Sequence, residues 1–76
     1  MKIYKISNQE ASYILVTPED ERSSNYYLFI PDQNLIKRID NALEFIISNK
    51  FIYKKTELSV IPAEHHEKLN ILLKGM

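Results

Sequence analysis

Seventy-six residues include no cysteine, one glycine, five tyrosines and three phenylalanines, and ten basic residues cancel ten acidic ones. A neutral chain has no long-range field with which to gather DNA or a membrane's phosphate surface. Lack of cysteine excludes disulfide staples and thiolate metal sites, and a lone glycine at Gly75 excludes phosphate-cradling loops. A chain this short buries only about 60% of its unfolded surface, so it must pack well or self-associate. The apolar fraction of 45% suits a packed core, and the expectation is one compact domain over residues 1–76. The opening Met1-Lys2-Ile3-Tyr4 carries no apolar signal segment, and no run approaches the roughly 20 apolar residues that span a bilayer. A cytoplasmic address with no membrane contact is therefore expected.

Lys2 to Ser7 and Ala11 to Thr17 are rich in Ile, Tyr, Leu and Val, and polar Asn8-Gln9-Glu10 between them predicts a hairpin turn. Pro18 stops the second strand, and Pro18 to Ser24, with acidic Glu19, Asp20 and Glu21, reads as a solvated loop. Asn25 to Ile30 predicts a third strand. Its alternation places Tyr26, Leu28 and Ile30 on one face and Tyr27 and Phe29 on the other, which suits a central strand covered on both sides.

Pro31 to Lys50 predicts a long amphipathic helix capped by Asp32. Leu35, Ile36, Ile39, Ala42, Leu43, Ile46 and Ile47 recur at three- and four-residue steps, and Asn49 is placed to stop it. Phe51 to Ile61 then reads as one bent strand, or as two short ones hinged near Lys54-Lys55. Pro62 opens a final helix that carries a Glu64–Lys68 pair and Leu69, Leu72 and Leu73, with Gly75 placed to end it. The fold class is α+β: a small, single-layer, mainly antiparallel sheet in the order β-β-β-α-β-α, packed against two helices. The fourth strand either pairs with the third through a right-handed crossover or lines the opposite edge.

Chemistry is sparse in this pattern. His65 and His66 are adjacent, and neighbours on a helix diverge by about 100°, so they cannot share a metal as an i, i+4 pair does. Both read as boundary residues with partly buried rings. The serines lack a nucleophile-elbow context, and Glu19-Asp20-Glu21 lacks the alternation and glycine of a calcium loop. No catalytic residue, metal or cofactor is expected. A chain of this size also has little room for a ligand pocket of about 300–1,000 Å³.

Two stretches remain as binding candidates. On the predicted long helix, Phe45 projects away from the apolar stripe among Lys37, Arg38 and Asn41, a combination typical of interface anchors. This leads to a non-enzymatic protein-binding module, such as an inhibitor, an immunity or antitoxin-type factor, an adaptor, or a homodimer formed through the same surface. The alternative is a small nucleic-acid-binding regulator in which Lys50, Lys54 and Lys55 contact phosphates while Phe51 or Tyr53 stacks on bases. The neutral charge balance weighs against it.

Overall fold

A computed structural model of the chain describes residues 1–19 and 26–74. Asp20, Glu21 and the rest of the expected acidic loop up to Ser24, the first residue of the expected third strand, Asn25, and Gly75 lie outside them. The described residues form five strands: β1 (Lys2–Ser7), β2 (Ser12–Thr17), β3 (Tyr26–Ile30), β4 (Leu35–Ile39) and β5 (Ile52–Thr56). Two short helices accompany them, α1 (Ala42–Ser48) and α2 (His66–Leu73). All four pairings are antiparallel, in the order β4-β3-β2-β1-β5. The α+β class with an antiparallel sheet and two helices is thus present, and the last strand takes the opposite-edge position beside β1.

Asn8 sets the first hairpin. Its Oδ1 accepts from the backbone N–H groups of Glu10 and Ala11, both at 2.8 Å, and its own N–H donates to the Ala11 carbonyl at 3.0 Å. This turn leaves Ser7 opposite Ser12, so that Ile3 faces Val16 and Ile6 faces Tyr13 across the pair. Alternation then sorts the sheet into two buried layers. Ile3, Ile14, Val16, Tyr27 and Phe29 pack with Ile61 and Leu69 on the α2 side, and Ile6, Leu15 and Leu28 pack with Ala42 and Phe51 on the α1 side. The sheet is therefore a middle layer between helices on opposite faces. Ile61 and Leu69 are 1% and 0% exposed, and each such side chain stabilises by about 1.5–3 kcal/mol through burial.

The predicted long helix over Pro31 to Lys50 does not form. Pro31–Gln33 make one 3-10 turn, and Asn34 adopts the left-handed conformation with φ 51°. That reversal sends Leu35–Ile39 back along β3 as an edge strand, with Ile36 packing on the α2 side and Ile39 on the α1 side. Asp32 caps nothing. Asn41 caps α1 instead, its Oδ1 accepting from the Glu44 N–H at 3.0 Å. The expected stop at Asn49 is observed as the C-cap. Beyond it, Lys50 N–H donates to the Ile47 carbonyl and Phe51 N–H to the Ile46 carbonyl, with Lys50 left-handed at φ 55°. These two bonds make a Schellman motif in which a lysine occupies the position usually held by glycine.

After β5 the chain turns through two 3-10 segments, Leu58–Val60 and Ala63–His65, rather than continuing as a bent strand. Pro62 immediately precedes the second of these, which runs directly into α2. Glu64 does not pair with Lys68. Its carboxylate accepts from Asn34 Nδ2 at 3.1 Å and lies 3.5 Å from His65 Nε2.

Candidate functional site

The four residues read as one binding patch are placed apart by the loss of the long helix. With Leu35, Ile36 and Ile39 in a strand, they no longer set the helix phase. Ala42, Phe45 and Ile46 turn towards the sheet, and Phe45 is half-buried in an aromatic group with Tyr13 and Phe51 at centroid distances of 6.3 and 5.3 Å. Asn41 is occupied as the cap of α1. Lys37 and Arg38 stand on β4 opposite Leu28 and Tyr27, and so point to opposite faces of the sheet. What α1 presents outward is Leu43 and Ile47, 68% and 66% exposed and one helical turn apart.

The basic and aromatic run is also redistributed. Phe51 precedes β5 and is 8% exposed, so its face is not available for stacking. Tyr53 and Ile52 are 67% and 74% exposed on the outermost strand, Tyr53 meeting Tyr4 edge-on at 6.2 Å. Lys54 lies directly opposite Lys5, and Lys55 opposite Tyr4, on alternate faces. Lys50 sits at the exposed corner before the strand.

The two histidines are partly buried, as their boundary reading expects. His66 Nε2 lies 2.7 Å from the Ile61 carbonyl, an acceptor only, so that nitrogen carries a proton. The His65 ring lies tilted against Phe29 at 5.2 Å and donates from Nε2 to Asn34 Oδ1 at 2.8 Å, while the Asn34 amide donates onward to Glu64. His66 thus ties α2 to the backbone before it, and His65 ties the start of α2 to the Asn34 side chain. Among the described residues no group of three or more metal-ligating side chains comes together, and no helix is long and apolar enough to cross a membrane.

One cavity departs from the expectation that the chain has no room for a pocket. A groove of about 760 Å³ opens between the first hairpin turn and the end of α1, lined by Ser7, Asn8, Glu10, Asn49, Lys50 and Ile52 among others. Asn8 Nδ2 spans its floor to the Asn49 carbonyl at 2.9 Å. No imidazole stands beside its serines, so it offers no nucleophile with an adjacent histidine base.

Comparison with protein-family models, with curated proteins and with solved structures finds no match in any of the three.

The most exposed large apolar side chains, Leu43, Ile47, Ile52 and Tyr53, lie on the outer face of α1 and on β5, with Leu35, Val60 and Ile71 less exposed elsewhere. Ile52, Leu43 and Ile47 are absent from the sequence-derived candidates. Leu43 and Ile47 are signalled only by their i, i+4 spacing, which serves equally for a buried stripe. Ile52 is signalled by the lysines that follow it, a composition common on edge strands.

Proposed function

We propose that this chain is a small non-enzymatic protein-binding module, an inhibitor, immunity or antitoxin-type factor or adaptor that occludes or tethers a protein partner in the cytoplasm. The observation that carries the reading is the pair Ile52 and Tyr53, 74% and 67% exposed on a strand whose outer edge has no neighbour among the described residues. Adjacent strand residues point to opposite faces, so a partner that grips this edge contacts apolar side chains above and below it. Aromatic residues in such positions are enriched among binding hot spots. Leu43 and Ile47 extend the exposed apolar surface to the helix.

The test is affinity capture from a lysate of the native host or its natural target organism. Wild-type protein is compared with an Ile52→Ser/Tyr53→Ser variant of matched thermal midpoint. A protein retained by the wild type and lost by the variant supports the reading. Capture that the variant leaves unchanged, or recovery of nothing but the chain itself, defeats it. The second reading, a nucleic-acid-binding regulator using Lys50, Lys54 and Lys55, is favoured by exposed Tyr53, which shares a sheet face with Lys55. A gel shift at low salt that weakens when these lysines are replaced would support it.

A further inference from the structure

Among the described residues β5 has a strand partner on one edge, β1, and none on the other. Because Asn8 and Ala11 form a hydrogen-bonded pair, alternation makes Ile6 and Tyr4 bond to β2 and turns the backbone groups of Ser7, Lys5 and Ile3 towards β5. Their partners Ile52, Lys54 and Thr56 are thereby satisfied. Tyr53 and Lys55 direct their N–H and C=O groups outward, where a further strand can receive them.

The charge on this edge is one-sided. Neither β1 nor β5 contains an acidic residue. Lys5 and Lys54 stand directly opposite each other, an arrangement that destabilises a sheet on its own. Among the described residues no carboxylate forms an ion pair with Lys5, Lys50 or Lys54, and Glu19 is paired with the Met1 amino group at 2.9 Å.

Resting on the protein-binding reading, we propose that the free edge of β5 receives an extended acidic segment of a partner protein as an antiparallel sixth strand. The order of side chains defines the segment. Opposite Lys55, Lys54, Tyr53 and Ile52, read in the partner's direction, stand two acidic residues and then two apolar ones. The apolar end lies against Ile52, which also lines the groove beside the hairpin turn. A second copy of the chain is a poor occupant. Two-fold pairing of β5 with itself keeps each side chain on its own face, so a register centred on Lys54 or Lys55 sets that lysine against its copy. A register centred on Tyr53 still gathers the lysines of both chains along one seam.

The experiment is an NMR titration of the full chain with the blocked hexapeptide Thr-Glu-Glu-Val-Val-Thr. Controls are Thr-Lys-Lys-Val-Val-Thr, Thr-Ser-Ser-Val-Val-Thr and an oligothymidine. The acidic peptide is expected to slow hydrogen exchange at the Tyr53 and Lys55 amides. Its affinity is expected to fall at least about tenfold in the Lys54→Glu/Lys55→Glu variant and on raising the salt from about 50 to 300 mM. Equal binding of the serine peptide overturns the acidic specificity while leaving strand docking, and with it the protein-binding reading, intact. Protection by the oligothymidine and by no peptide overturns both. Protection that rises with protein concentration alone assigns the edge to a second copy and overturns the proposal. So does no protection at β5 at millimolar acidic peptide.

Discussion

Replacing Lys50 by glycine is expected to stabilise the fold relative to replacing it by alanine. Lys50 is held left-handed at φ 55° by the two bonds that close α1, from its own N–H to Ile47 and from the Phe51 N–H to Ile46. A residue with a Cβ pays about 1–2 kcal/mol for that conformation. Glycine escapes it but loses about 0.5–1 kcal/mol through the greater freedom of its unfolded chain. Both substitutions remove the ammonium from the end of α1, so the charge effect of about 0.3 kcal/mol cancels between them. The glycine variant should therefore exceed the alanine variant by about 0.75 kcal/mol, or about 3–6 °C in thermal midpoint for a domain of this size. Thermal unfolding followed by circular dichroism, with urea titration as a second measure, reads the difference directly. Equal midpoints, or an alanine variant that is the more stable, would refute the assignment of strain to Lys50.

Phe45→Ala is expected to cost about 2–3 kcal/mol, because it opens the ring cluster with Tyr13 and Phe51, while Leu43→Ala and Ile47→Ala stay within about 0.5 kcal/mol. Urea unfolding checks this, and a neutral Phe45→Ala would contradict the packing of α1. Asn8→Ala removes the acceptor of two turn amides and the donor to Asn49, and a loss of about 1–2 kcal/mol is expected by the same method. Glu19 is fully exposed and held below its ordinary value of 4.5, first by its hydrogen bond to the Met1 ammonium and then by that group's charge. A depressed carboxyl stabilises the fold above 4.5 and loses that contribution as pH falls through its folded value. The stability gap between wild type and Glu19→Gln should thus be present at neutral pH, vanish in acid and shrink with added salt.

The first three strands are legible in the chain because each couples β-branched or aromatic residues to a turn with its own chemistry, as Asn8 does for the first hairpin. The fourth is not. Leu35, Ile36 and Ile39 fit one turn of a helix as well as they fit a five-residue strand, and they fall in phase with Ala42, Leu43, Ile46 and Ile47. The deciding features are the left-handed turn at Asn34 and the cap at Asn41, two asparagines that interrupt the pattern without breaking its periodicity. The misplacement of Phe45 follows from the same ambiguity. Once the first three apolar residues leave the helix, the remaining ones no longer outvote it, and the apolar face rotates to include the ring. The exposure of Ile52 depends on β5 being outermost, a property of strand order, which local composition does not encode.

Strand order also carries a kinetic consequence. β1, β2, β3 and β4 are neighbours in the sheet in the order in which they follow one another in the chain. β5, by contrast, must bring Thr56 to Ile3 and Ile52 to Ser7. That seam closes the longest stretch of chain in the sheet and carries the greatest loop entropy. In pulse-labelled refolding, amides bonded between β2 and β3 are expected to gain protection before those between β1 and β5. The last strand to arrive is then one of the sheet's two edge strands, and until it arrives β1 is itself an edge able to take a strand from elsewhere.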